Sequence, residues 1–553
     1  MKLTFVGATR TVTGSCYLLD VDGYKVLIDC GLYQGGRALE LRNREPFPFE
    51  PREVSDVILT HAHIDHSGLL PRLVRDGFSG RIRCHRATAE LAAVMLKDSA
   101  HIQQMQAQVE TRKRERKGLS AVEPLYAMAD AEAVARLFAP VDYGAVLDLA
   151  DGKLTVEFLD AGHILGSSIL RITTREADGK LTTLFSGDLG NAPAPILNDP
   201  AQFESADVVL MESTYGDRLH EDRVEREDRL AQIVRDAVLA SGTVLIPAFA
   251  VGRTQEILYA LNGLLHSGAI PKIPVYIDSP LAGEATAVFR RHPECYDSEM
   301  RTLIAHGEDP LGFEGLTVVG DARESMALND VKGPKIIISA SGMCTSGRIL
   351  HHLKHHLWER NATVLFVGYQ GAGTLGRALL GGARTVQIHG ESVKVACHIE
   401  QIGGFSAHAD QKGLLAWLGR LSRPPRRVFL VHGEEEAATT LAAKIDERYG
   451  APIAVVPHPH QTVTLTAKSE DLGAAPASAA PVAPEAADLP RELAAYVDEV
   501  VSKAKTLARD ARQIRARLRP DQRASQAFDE SLEAPLAALR KKLDQVLSDL
   551  SGK

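Results

Sequence analysis

Within six residues, the segment His61-Ala62-His63-Ile64-Asp65-His66 carries three imidazoles and a carboxylate. Neutral imidazoles gain nothing by crowding unless a cation sits among them, so shared metal binding is the chemistry that explains this spacing. His163, Asp188 and His432 complete a set of seven. Each follows an apolar run that reads as a strand, and each stands beside Gly or another small residue. His61, His63 and His163 can hold one ion, and Asp65, His66 and His432 a second. Asp188, with two carboxylate oxygens, can bridge them. Imidazole and carboxylate donors favour two zinc ions, with manganese as the alternative. A set of unrelated buried polar residues would leave the crowding at 61–66 unexplained.

These residues must be positioned by strands, because sites in open sheets gather outside the carboxyl ends of strands. "CYLLDVDGYKVLIDCG" holds Asp22-Gly23 between two apolar runs, a two-residue hairpin signal. From about residue 206 the pattern changes to strand–loop–helix units such as "GTVLIPAFAVGRTQEILYALNGLL" and "KIIISASGMCTSGRILHHLKHHL". Such alternation predicts a parallel α/β sheet. After residue 390 the first texture returns, so one domain interrupts another. The expected divisions are 1–208 and 391–468 for the interrupted domain, 209–390 for the insert, 469–490 for an Ala/Pro linker and 491–553 for a tail. In the tail, Leu493, Tyr496, Val497, Val500, Val501, Ala504 and Leu507 recur at helical spacing, and Pro520 separates a second apolar stripe. A helical hairpin that docks on its own protein or forms a homodimer is expected there.

The bulk figures set limits on function. A chain of 553 residues exceeds the ~250–300 at which single cores stop growing. A net charge of −8 excludes a wholesale basic surface, so a nucleic-acid partner would need a local cleft or metal ions. Six cysteines without CxxC spacing read as reduced thiols of a cytoplasmic protein. No signal peptide and no membrane span are expected, because no run reaches ~18 apolar residues.

The motifs resemble those of a known family. "HAHIDH" is similar to the HxHxDH motif of the metallo-β-lactamase superfamily, and Asp29 in "LIDCG", His163 in "GHILGSS" and Asp188 in "FSGDLG" match its other motifs. More specifically, the chain resembles the β-CASP nucleases, which include the endonuclease subunit of pre-mRNA 3′-end cleavage and bacterial and archaeal ribonucleases. Glu212 in "MESTYGDR", His408 in "FSAHAD" and His432 in "LVHGE" match the three additional motifs of that group. The resemblance covers roughly residues 1–468 and implies an αββα sandwich interrupted by an inserted parallel α/β domain. It also implies a zinc-dependent ribonuclease, with RNA favoured over DNA because the third additional motif carries His432. Glu212 would orient ligands rather than bind metal, and Asp65 would be catalytic as well as a ligand.

Phosphodiester hydrolysis also needs a proton for the leaving oxygen. His408, preceded by the small residues of "GGFSA", can supply one near neutral pH. Ser339, Ser341 and Gly342 follow the strand "KIIIS" and can present hydroxyls and N–H groups to a substrate phosphate. Ser406 and Arg253 are further candidates, an interdomain ion pair being the other reading of Arg253. Three weaker patterns are set aside. "GAGTLG" lacks the βαβ unit a dinucleotide fold needs, the histidines of "HHLKHH" read as a polar helix face, and "RKRERK" as a solvated one. Two alternatives to a ribonuclease remain: a hydrolase of small esters or thioesters, which would need neither the insert nor Glu212, and an inactive RNA-binding scaffold, which would lack metal ligands.

Overall fold

A computed structural model describes residues 1–474, apart from 117, 177–178, 221–222, 369 and 372. The expected tail hairpin and most of the linker lie outside the described residues.

Two sheets face each other. The first has eight strands in the order Glu470–Asp471, Thr462–Leu465, Lys2–Phe5, Tyr17–Val21, Tyr24–Ile28, Val54–Ile58, Arg81–His85 and Phe138–Val141. The second has seven: Ala454–Val455, Arg427–Val431, Val208–Glu212, Gly179–Phe185, Ser168–Glu176, Leu154–Asp160 and Val146–Leu149. Alternating burial in Tyr17–Val21 directs Tyr17, Leu19 and Val21 inward, as expected of a half-buried strand. The predicted hairpin forms, with Val21 opposite Tyr24 and both Asp22 and Gly23 at positive φ, the conformation a two-residue turn of this type demands.

Between the sheets, Leu3, Phe5, Leu19, Val26 and Ile28 meet Phe158, Ile172, Phe185, Leu210 and Phe429. Each such burial is worth roughly 1.5–3 kcal/mol. Helix Arg86–Glu115 covers the outer face of the first sheet through Leu91, Ala92 and Leu96. Helices Gln411–Leu418 and Glu435–Tyr449 cover the second through Leu414, Leu441 and Ile445. The result is the expected αββα sandwich.

The insert carries a six-stranded parallel sheet: Leu316–Val318, Val275–Ile277, Lys335–Ser339, Thr243–Pro247, Thr363–Phe366 and His398–Gln401. "KIIIS" and "TVLIP" are buried at every position, as strands covered by helices on both faces must be. The boundaries differ from those expected. Residue 209 falls inside Val208–Glu212, a strand of the sandwich, and residue 391 opens the second strand of the hairpin Thr385–Ile388/Glu391–Lys394. The chain leaves the insert's sheet only after Gln401, and the sandwich extends to Glu470–Asp471. Buried parallel strands look alike in either domain, so texture alone places these borders within several residues. Among the described residues, no helix is long and apolar enough to cross a membrane.

Candidate metal centre

The seven donors converge at one end of the sandwich because the strands that precede them run the same way. Tyr24–Ile28 is parallel to Val54–Ile58, and Gly179–Phe185, Val208–Glu212 and Arg427–Val431 are parallel to one another. Asp29, the 61–66 segment, Asp188 and His432 emerge from their carboxyl ends. Asp29 and His432 are held at φ 58° and 49°, a costly conformation for non-glycine residues and one found at functional sites. Gly31 lets the 61–66 segment come close, since a Cβ there would stand 1.7 Å from the Asp65 carbonyl oxygen.

Two donor sets form around Asp188. His63 Nδ1 lies 3.1 Å from His61 Nε2 and 3.2 Å from His163 Nε2. Asp188 Oδ2 is 3.4 Å from His61 Nε2 and 3.5 Å from His163 Nε2. Zinc–nitrogen bonds of about 2.0–2.1 Å in a tetrahedron put donor atoms about 3.3 Å apart, so this spacing suits zinc. On the other side, Asp188 Oδ1 is 3.3 Å from His66 Nε2 and 3.7 Å from His432 Nε2, which in turn lies 3.3 Å from Asp65 Oδ2.

The charge balance argues for the same groups. Asp29, Asp188 and Glu212 are almost fully buried, and among the described residues their ion-pair partners, like those of Asp65, are histidines. Asp188 Oδ1 is buried and accepts no hydrogen bond. Buried carboxylates without cations are expensive, and two divalent ions would supply the missing charge. Burial and mutual repulsion hold His61 and His163 well below the usual histidine range, and burial takes His63 down to about 4. All three are therefore neutral and able to ligate. His66 behaves oppositely: burial disfavours its charged form, but Asp188 and Asp29 outweigh that and raise its pKa. An excess of negative charge thus lies where the second ion would sit.

Supporting groups orient the ligands. His66 Nδ1 donates to Asp29 Oδ2 at 2.8 Å, and Thr60 donates to both oxygens of Asp29. The Thr60 hydroxyl also lies 3.1 Å from His61 Nδ1, and Thr214 Oγ1 lies 3.2 Å from His432 Nδ1. Such contacts would fix which ring nitrogen is presented to a metal. Sequence reasoning passed over Thr60 and Thr214, although each stands next to, or two positions from, a residue it did single out.

His408 reaches the cluster from the segment that returns from the insert. It is anchored by a bridge to Gly190 and by the Asn191 N–H donating to the Ala407 carbonyl. Its Nδ1 faces both oxygens of Glu212, at 3.2 and 3.1 Å, and lies 3.9 Å from Asp188 Oδ2. Glu212 also accepts the Leu189 N–H at 2.6 Å. Burial opposes a charged His408, but Glu212 and Asp188 overcome it and lift its pKa to about 9.

The phosphate candidates fare unevenly. Ser406 is buried and shares a recess with His163. Ser341 sits in a loop where its hydroxyl accepts the N–H groups of Thr345 and Ser346. Gly342 packs against Phe249, whose ring atoms a Cβ would approach to 3.0 Å. Ser339 needs correction: its buried hydroxyl donates to the Asp278 carbonyl at 2.9 Å, so it joins strands of the insert rather than facing substrate. Arg253 is buried and paired with Glu256. Of the patterns set aside, His352 bonds Asp278 and His356 bonds Glu359, and Arg112, Lys113 and Arg114 close the helix Arg86–Glu115, where cations suit the dipole.

Three family models match the chain. The metallo-beta-lactamase superfamily model covers residues 9–232, the Beta-Casp domain 254–379, and the Zn-dependent metallo-hydrolase RNA specificity domain 392–457. Ribonuclease TTHA0252 of Thermus thermophilus is 40% identical over 441 residues, which are 80% of this chain and 95% of the relative. Transcription termination factor FttA of Methanocaldococcus jannaschii is 33% identical over 453 residues, 80% of this chain and 68% of that protein. FttA of Methanosarcina mazei is 32% identical over 463 residues, 80% of this chain and 69% of that one.

Proposed function

The chain belongs to the β-CASP family of the metallo-β-lactamase superfamily, and from that premise we propose that it is a ribonuclease that hydrolyses RNA phosphodiester bonds with two zinc ions. His61, His63 and His163 would hold one ion and Asp65, His66 and His432 the other, with the two carboxylate oxygens of Asp188 available to both. Bound there, the ions supply Lewis acidity for the phosphodiester and for the water that attacks it, and manganese is the alternative pair.

The observation that carries the reading is the Glu212–His408 pair set against the donor cluster. A protonated imidazole beside the reacting phosphate can give its proton to the leaving oxygen, the usual work of a general acid. Glu212, with both oxygens against Nδ1, favours the protonated ring. Glu212 holds the ring through Nδ1, leaving Nε2 to face the substrate. Asp65 doubles as the carboxylate that orients the attacking water. Ser406, Ser341 and Gly342 contact substrate phosphates through hydroxyl and N–H groups. RNA rather than DNA is the substrate, as the naming of the Thermus relative and the third family model's description support.

The test is incubation with end-labelled RNA and matched single-stranded DNA, before and after chelation. RNA cleavage that chelator abolishes and metal restores is expected. Chelator-resistant cleavage, or DNA cut as fast as RNA, would refute it.

A further inference from the structure

Glu212 grips the ring of His408, and the chain that follows Glu212 grips its backbone. Residues 213–220 leave the strand Val208–Glu212 and bond along the 406–411 segment. Gln411 ties the two: its N–H donates to the Arg218 carbonyl at 3.1 Å, and its side-chain amide to the Gly216 carbonyl at 2.6 Å. The His220 N–H donates to Asp410 Oδ2 at 3.1 Å, and His220 Nε2 lies 3.0 Å from the His408 carbonyl oxygen. A carbonyl oxygen only accepts, so His220 Nε2 carries the proton of that bond. Burial lowers the pKa of His220, so at neutral pH the ring is uncharged.

The loop that carries His220 is itself anchored on the sandwich. Ser213 Oγ donates to the Val431 carbonyl at 2.9 Å. A Cβ on Gly216 would stand 2.5 Å from the Ala437 carbonyl oxygen of helix Glu435–Tyr449, so glycine is what lets the loop lie this close. The Tyr215 ring meets His220 at 4.7 Å and His408 at 6.1 Å between centroids, edge-on in both cases.

These contacts divide the work on His408. Glu212 fixes the ring through Nδ1 but does not fix the main chain from which the ring hangs. Gly190 supports that main chain through its bridge to His408, and among the described residues His220 supplies the side-chain bond to the His408 carbonyl. Taking the chain as a ribonuclease with His408 as general acid, we propose that His220 is a positioning residue, whose bond to the His408 carbonyl sets the place from which Nε2 of His408 reaches the leaving oxygen. His220 neither gains nor loses a proton in the step. Proton transfer needs heavy atoms about 2.6–3.2 Å apart, so a displaced main chain takes the donor out of reach. A purely structural bond would affect every step alike, whereas positioning acts through the proton transfer alone.

The experiment uses the full, metal-loaded chain, with one RNA made either unmodified or with sulfur as the leaving atom at the mapped cut. His220→Phe keeps a ring against Tyr215 and removes the N–H, and His220→Gln restores a donor at similar reach. On unmodified RNA, His220→Phe should lower kcat about 10- to 100-fold, with KM within about twofold and metal content unchanged. His220→Gln should return to within about fivefold of wild type. On the sulfur substrate, whose leaving atom departs without a proton, the His220→Phe loss should shrink to about threefold or less. In a His408→Ala background, His220→Phe should cost no more than about twofold, because the group it positions is gone. An unchanged kcat, an equal loss on the sulfur substrate, a loss that adds in full to that of His408→Ala, or shed metal would each overturn the proposal. A His408→Ala protein as active as the wild type would instead remove the general-acid reading on which it rests.

Discussion

Asp188 and Asp278 both follow a strand into its carboxyl-end loop, both are buried, and both touch histidine, yet their surroundings are opposite in kind. Asp278 has a proton donor for each oxygen: Arg348 Nη1 at 2.7 Å on Oδ1, and Ser325 Oγ at 2.5 Å and His352 Nε2 at 2.6 Å on Oδ2. Burial would raise its pKa, but His352, Ser325 and Arg348 prevail and lower it. That network is closed by a guanidinium and has no need of a further cation. Among the described residues, Asp188 has five histidines around it, no Lys or Arg among its ion-pair partners, and an oxygen that accepts no hydrogen bond. The difference shows that a buried aspartate among histidines marks a metal site only when the protons and cations nearby fall short of the carboxylates.

Four substitutions put this contrast to the test. Asp188→Ala should have the largest effect, removing both metals and reducing cleavage to the level of chelated protein, while the fold persists by circular dichroism. Next comes His408→Ala, which should keep both metals and still bind RNA but lose roughly 10²- to 10⁴-fold in kcat. A substrate with sulfur as the leaving atom should recover much of that loss, since sulfur departs without a proton. If the mutant sheds metal instead, His408 is a ligand.

Asp29→Asn is a smaller perturbation. It leaves the seven donors in place but weakens the carboxylate behind His66, so metal affinity should drop about 10- to 100-fold in a competition titration. Unchanged affinity would show that the His66 ring needs no such support.

The least effect on chemistry is expected from Asp278→Ala. It should cost about 2–4 kcal/mol of stability by leaving Arg348 and His352 without their partner, with metal content unaltered. Because the folded pKa of Asp278 is lowered, its contribution is fully present above the ordinary carboxylate pKa of ~3.9 and lost as pH falls below it. The stability gap between wild type and Asp278→Ala, measured by urea denaturation, should therefore narrow in acid.

The cluster of seven donors was legible because crowded imidazoles and carboxylates have few explanations other than a shared cation, and 61–66 places four such side chains in one turn. The parallel insert was legible from periodicity, since its fully buried strands alternate with helices, whereas the αββα sandwich was implied by the family resemblance. What the chain kept hidden was pairwise. Ser339 and Arg253 are chemically suited to phosphate, but their partners, the Asp278 carbonyl and Glu256, are set by three-dimensional packing. The same applies to the domain borders, where the strand Val208–Glu212 is as apolar as those of the insert. His408 lay between these cases: its motif pointed to it, while its contact with Glu212 joins residues 196 positions apart in the chain.

The central claim is that the Asp188 cluster holds two metal ions, and it is tested most directly by counting them. Elemental analysis of purified, RNA-cleaving protein should find close to two equivalents of zinc or manganese per chain. Active protein containing no more than a trace of either metal would contradict the account.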